Sequence, residues 1–430
     1  MKNKQFYQFV IPSIGAMLVT GLYFVVDGIF VGRGVGTEAL AAINIAVPFI
    51  SILTSVSMMI TMGGATITSI HFGRGENEEA NRSFRLSLVM VLIFSLIMTI
   101  VSFFFSKNLA RLLGASDLLL EGAANYIKYF VLFGIFFCSS NTLSAFVRND
   151  SNPRLAFWGM IIGAVSNVFL DWLFIFPLKM GLVGAAIASG LGQVLACLVL
   201  STHFIHKKNN LTIGMPQFSM QIIGQIIKTG TPEFITQMSQ PVIILCYNFI
   251  VLDIFGEIGV SAFSVISYIL VVVIGVFTGL AQGIQPLLSR SFGEKDSESE
   301  KFFFCKGLRL NIFLATVIYG IMLLFGKGII SIFNSDSQLI SLGYDCIKVY
   351  GICFLFAACN IVYTVYYLAT KRTRQALIIS VLRSFVANIA FIFLIPALFG
   401  VNTIWAGMIV AELVVLFVAM IISRLQRRVA

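Results

Sequence analysis

Runs of about 20 apolar residues recur along the whole chain, and a run of that length in lipid has few conformations open to it. As a helix rising 1.5 Å per residue it crosses a hydrocarbon core of about 30 Å, and a helix satisfies every backbone N–H and C=O internally. Polar breaks divide the 430 residues into about twelve such runs, beginning at 6–32 and ending at 401–424. Composition agrees: 58% of residues are hydrophobic and 11% charged, too few charges to cover a soluble protein of this size. The expectation is an all-α polytopic membrane protein. The first 30 residues are too long and aromatic for a cleaved signal and run on as the first span.

An even number of spans puts both termini on one side. Of the 29 Lys and Arg, only Arg33, Lys107, Arg111, Lys128, Lys179, Lys327 and Lys348 fall on the other side. The positive-inside rule therefore predicts cytoplasmic termini in a cell membrane. The net charge of +10 is then topological and calls for no nucleic acid. Seven cysteines scattered through apolar segments, with no C-x-x-C, indicate neither a disulfide frame nor a metal cluster. No nucleophile–base pair appears, so an enzyme is not expected, and no cofactor is called for.

The chain is written twice. Pro12 and Pro232, Gly36 and Gly256, Gly63 and Gly283, and the "FG" pairs at Phe72-Gly73 and Phe292-Gly293 all stand 220 residues apart. The offset slips by one before Gly181 and Gly400. Two six-span halves follow, an N-terminal lobe over 1–205 and a C-terminal lobe over 222–430, joined by a polar cytoplasmic linker, 206–221. Because each half has an even number of spans, they are parallel repeats about an axis along the membrane normal.

Two stretches carry a family resemblance: "VDGIFVGRGVGTEALAA" (Val26 to Ala42) and "NVFLDWLFIFPLKMGLVGAAIAS" (Asn167 to Ser189). With the early proline they make the chain resemble the multidrug and toxic compound extrusion (MATE) transporters over essentially its whole length. "VAE" at Val410 to Glu412 resembles the Gram-positive multidrug branch. The resemblance implies twelve helices in two lobes forming a V around a central cavity. It also implies antiport of lipophilic cations or other amphiphiles, driven by Na⁺ or H⁺. The expected partners are small lipophilic cations and the bilayer, and the expected working unit is a monomer.

The duplication serves as an internal control on polar residues inside spans. A carboxylate at membrane depth costs about 3 kcal/mol even on lenient scales, so Asp171 needs a reason. Its repeat partner is Phe391; those of Asp27, Asn167 and Ser189 are Tyr247, Ala387 and Met408. The fold does not require these four polar groups. Asn167 and Asp171 share a helix face, and all four lie in the outer half of the N-terminal lobe. Two carboxylates with neutral oxygens suit Na⁺ as a metal site; the same pair could instead hold a proton. The resemblance implies that these positions are the cation-coupling site.

The C-terminal lobe has Glu233, Arg383 and Glu412 within spans, close enough in height for a buried Glu–Arg–Glu cluster. Arg383 with Glu412 reads best as a structural ion pair. Glu233 reads equally as a substrate-binding carboxylate, and Tyr23 and Tyr247 as aromatic contacts for a cationic substrate. The leading function is a cation-coupled multidrug efflux antiporter working by alternating access. The alternative is a lipid-linked oligosaccharide flippase of the same wider superfamily.

Overall fold

The computed structural model describes residues 2–205, 209–333 and 336–429. Outside the connections, chiefly 209–219, these are helical, with no strand among the described residues. Ten helices are long and apolar enough to cross a membrane singly: α1 (Lys2–Gly34), α2 (Thr37–Gly73), α3 (Asn77–Leu112), α6 (Pro153–Ile175), α7 (Gly181–Ser201), α8 (Met220–Gly256), α9 (Ile258–Gly293), α10 (Ser297–Ser331), α13 (Thr373–Phe399) and α14 (Thr403–Leu425). Two bent helix pairs bring the number to twelve if each is one span: α4 (Asp117–Leu132) with α5 (Gly134–Asn149), and α11 (Ser337–Tyr350) with α12 (Cys353–Ala369).

Those bends, 48° and 52°, depart from the continuous spans expected at 120–147 and 339–369. No proline causes them. At the first break the Phe133 and Phe136 amides bond three residues back, to Phe130 and Phe133; Ile352 and Phe354 do the same at the second, to Val349 and Gly351. Tighter i→i+3 bonding replaces the α-helical ladder and turns the axis. Aromatic rings hold both corners. The Phe133 ring sits against Gly190, where an added methyl would lie 2.2 Å away, and the Tyr319 ring sits against Gly351.

The breaks recur at the repeat offset, and so does the left-handed backbone: Gly36 with Gly256, Gly75 with Lys295, Ser151 with Lys371, and, after the slip, Gly181 with Gly400. The duplication in the sequence is a duplication of backbone conformation.

Across the lobes, α2 packs on α8 and α9, and α1 packs on α9. The seam is symmetric at one end, where the paired glycines Gly73 and Gly293 meet. A methyl at Gly73 would lie 2.2 Å from the Arg290 carbonyl oxygen, and one at Gly293 would lie 2.2 Å from that of Ile70. Positions 70 and 73 are the repeat partners of 290 and 293, so a local two-fold axis runs between the two glycines. Gln285 Nε2 donates to Thr66 Oγ1 across this seam at 3.1 Å, in a buried bond. All seven cysteines are free.

The linker is tied to the N-terminal lobe; its first residues, 206–208, lie outside the described set. Asn81 Nδ2 donates to the Asn210 carbonyl (2.8 Å), and Arg85 donates to the carbonyl and hydroxyl of Thr212 (2.9 and 2.7 Å). Buried Asp150, just past α5, accepts from His203 Nε2 (2.9 Å), Asn210 Nδ2 (2.9 Å) and the Leu211 amide (3.1 Å). Burial alone would raise the Asp150 pKa, but these bonds and the adjacent imidazole outweigh it and hold the carboxyl below its ordinary value.

Candidate functional site

Three helices of the N-terminal lobe converge on one acidic centre. Helix α1 brings Tyr23 and Asp27 one turn apart, α6 brings Asn167 and Asp171 one turn apart, and α7 brings Ser189. Small residues permit the approach. A methyl on Gly192 would lie 2.7 Å from the Gly163 carbonyl oxygen and 3.0 Å from Asn167 Cβ, so α7 rides directly on α6. That closeness lets Asn167 Nδ2 donate to Ser189 Oγ at 3.2 Å.

The centre is short of donors. Asp171 is fully buried and Asn167 nearly so, while Asp27 is half-buried. The two carboxyl groups lie near enough to interact, with Asn167 beside Asp171. Yet both Asp171 oxygens, Asp27 Oδ1 and Asn167 Oδ1 have no hydrogen-bond partner among the described residues. Two ionised carboxylates cannot bond to each other, and an orphaned buried oxygen forfeits its solvation. A proton on one carboxyl supplies one donor and relieves the like charge, while a bare cation among the four acceptor oxygens would engage them together. The residues present therefore fit either ion.

The four residues Asp27, Asn167, Asp171 and Ser189 thus lie together. Tyr23 lies with them, close enough to both carboxylates to feel their charge, and stacks on Phe24 with ring centroids 4.6 Å apart. Two further tyrosines belong to the centre and were not singled out in the sequence. Buried Tyr126 of α4 lies within electrostatic range of both carboxylates. Tyr268 reaches across from α9, near Asp27 and against Gly28. The signal for Tyr126 was present, since its repeat partner is Cys346.

The C-terminal candidates sort differently. Tyr247 is 0% exposed and stacks on Phe263 at 4.9 Å and on Trp405 at 6.3 Å. In this structure it packs as a core residue, where the sequence offered it as an aromatic contact for a substrate. The Glu–Arg–Glu cluster is also not formed. Arg383 Nε donates to both Glu412 oxygens (2.9 and 3.2 Å), and Asn360 Nδ2 donates to Glu412 Oε2 at 2.7 Å. Glu233 instead accepts from Gln237, one turn along its own helix, at 2.9 Å. That nearer donor occupies the carboxylate and leaves it outside the ion pair. Arg383 stands in a π-helical turn, Leu382–Val386, inside α13.

Fold and centre together describe a two-lobed polytopic membrane protein with a buried, donor-poor acidic centre in one lobe. The MatE family model matches residues 12–173 and 232–394, and the chain belongs to that family. It is 24% identical to the multidrug export protein MepA of Staphylococcus saprophyticus, over 99% of this chain and 97% of that protein. It is 23% identical to MepA of Staphylococcus haemolyticus, over 97% and 92%. Among solved structures, one described as an outward-facing conformation of a multidrug resistance MATE family transporter superposes with a TM-score of 0.93 at 22% identity, covering 99% of this chain and 96% of that one. A MATE crystal structure in complex with MaL6 gives 0.93 at 21% identity, with the same coverage.

Proposed function

We propose that the protein is an efflux antiporter of the cytoplasmic membrane, exporting lipophilic and cationic compounds in exchange for H⁺ or Na⁺. The observation that carries this reading is the donor-poor centre at Asp27, Asn167, Asp171 and Ser189, present in one of two otherwise equivalent lobes. A buried acceptor cluster costs free energy unless an ion enters it, so ion binding shifts the balance between conformations that hold the cluster differently. Tyr268, extending from the other lobe toward Asp27, offers a contact that changes when the lobes move apart. The long MepA relatives, named as multidrug export proteins, support the cargo class. Cytoplasmic termini follow from the charge bias of the loops, and no chemistry on the cargo is invoked. The working unit is taken to be the monomer, since each chain carries both lobes.

The test is ion-coupled flux in proteoliposomes. Export of a quaternary-ammonium dye should be driven by an imposed pH gradient or by an imposed Na⁺ gradient, and dye addition should release the coupling ion. Dye movement indifferent to both gradients would remove the antiport reading. Movement of lipid-linked oligosaccharide alone would install the flippase in its place.

A further inference from the structure

Arg148, in the last turn of α5, is 6% exposed. No carboxylate lies within ion-pair distance of it, and no hydrogen bond engages its guanidinium, among the described residues. Asp150, two residues on in the sequence, is already taken by His203, Asn210 and Leu211. The negative end of its own helix lessens the cost of the charge without supplying a partner. Buried arginines are otherwise paired, so this one is an exception that needs a cause.

Its surroundings point to one. Arg148 lines a small cavity of about 20 Å³, room for roughly one water, where α1, α2, α5, α6 and α9 meet. Asn141 and Gln282, one from each lobe, place further polar groups on the same cavity, and four methionines (Met17, Met58, Met62 and Met160) make up much of its apolar wall. Methionine is the side chain best able to reshape around varied apolar ligands. Leu368, 1% exposed, holds the equivalent place in the C-terminal lobe. The fold therefore tolerates a plain apolar residue there, and the charge is an addition.

We propose that Arg148 is an anion-recognition residue at the cytoplasmic end of the inter-lobe cleft, binding a carboxylate carried by the cargo when the lobes part. This rests on the transport reading above and narrows it. The N-terminal lobe then carries two poles, a carboxylate centre toward the outside and a guanidinium toward the cytoplasm, with a small methionine-lined cavity beside the second. Arginine suits the task because its fork donates two parallel bonds to a carboxylate.

A matched pair of dyes isolates the group: rhodamine 110, which carries a free carboxylate, and rhodamine 123, its methyl ester. Binding of each to the full-length purified protein is read by fluorescence anisotropy, for wild type, Arg148→Gln and Arg148→Lys, with size-exclusion profiles checking folding. Arg148→Gln should weaken the acid tenfold or more and the ester less than twofold; Arg148→Lys should restore part of the loss. Equal weakening of both dyes makes Arg148 structural and overturns the proposal. So does binding of the ester but not the acid by wild type, which leaves the efflux reading standing. Binding of neither dye counts against the efflux reading itself and takes the proposal with it. A free inorganic anion as the true occupant would show as ester binding that depends on chloride in wild type but not in Arg148→Gln, and that also overturns it.

Discussion

The two lobes share one backbone plan and differ at their centres. In the N-terminal lobe Asp27, Asn167, Asp171 and Ser189 leave four acceptor oxygens without donors. In the C-terminal lobe the same positions are Tyr247, Ala387, Phe391 and Met408, and Tyr247 lies in a stack with Phe263 and Trp405. Trp405 stands where the N-terminal lobe has Ala186. One lobe keeps small side chains and buried acceptors; the other is filled by rings. Since one backbone plan folds with either set, the fold does not require the acidic centre.

A second difference teaches the opposite lesson. Ser140 Oγ bonds Gln193 Oε1 at 2.6 Å, and Asn360 bonds Glu412 at the repeat positions of that pair. Glutamate has replaced glutamine, and where the N-terminal lobe has Gly163 the C-terminal lobe has Arg383. The two charges came together, and their bond is closed at 2.9 Å. A charge whose neutraliser sits beside it is a packing solution, whereas the carboxylates at Asp27 and Asp171 have no such neighbour.

The largest effect expected from breaking this contrast falls on Asp171. Asp171→Asn keeps its size and removes its charge, so coupled dye export should drop to background while the yield and melting temperature of the purified protein hold or rise. Asp27→Asn should behave alike, and the double variant should be little worse than either single one, as for residues acting as a unit. Wild-type export by Asp171→Asn under an imposed gradient would return the centre to a structural role.

Next in size is the ion pair. Arg383→Gly or Glu412→Gln alone leaves a buried charge unpaired and should cost about 3–5 kcal/mol, seen as a clear fall in melting temperature in detergent. Combining them reproduces the N-terminal lobe's own solution and should recover most of the loss. Failure of the double variant to recover would mean that Arg383 or Glu412 has a duty beyond the other.

How much of this was legible beforehand follows from what the bilayer enforces. Span length is set by membrane thickness, so the spans and their doubling could be counted from apolar runs and a 220-residue offset. The bends at Phe133 and Gly351 lie inside apolar runs without proline, and ring-on-glycine contacts with neighbouring helices hold them, so nothing local announced them. Arg148 stands near a span end, where arginines usually reach water, and only tertiary packing buries it. Tyr247 shows the same limit in reverse: an aromatic residue near a cleft and one in a core look identical in a string of letters. The acidic centre could be read because a lone carboxylate is costly in lipid and the second lobe lacks it.

A smaller effect is expected at the linker, which Asp150 ties to the first lobe; its repeat partner, Thr370, has no linker to hold. The folded pKa of Asp150 lies below its unfolded value of about 4. Its contribution is therefore complete above that unfolded value and is lost as pH falls through the folded one. Amide exchange at residues 209–212 should thus stay slow at neutral pH and accelerate only in strong acid. Asp150→Asn should free the segment at pH 7, at roughly 1 kcal/mol for each bond weakened. Slow exchange in Asp150→Asn at pH 7 would mean that Asn81 and Arg85 hold the linker by themselves.

The smallest effect should come from Tyr247→Phe, and its smallness is informative. The Tyr247 hydroxyl is buried and has no hydrogen-bond partner among the described residues, while its ring is held by Phe263 and Trp405. Removing an unsatisfied hydroxyl and keeping the ring should leave thermal stability unchanged or raise it by about 1 kcal/mol. Dye export should stay within twofold of wild type, because the position answering to Asp27 in this lobe does packing work only. Tyr247→Ala, by contrast, empties a fully buried site and should destabilise by about 3–5 kcal/mol. If Tyr247→Phe instead abolished export at unchanged stability, the hydroxyl would be a working group, and the two centres would be partners in one mechanism.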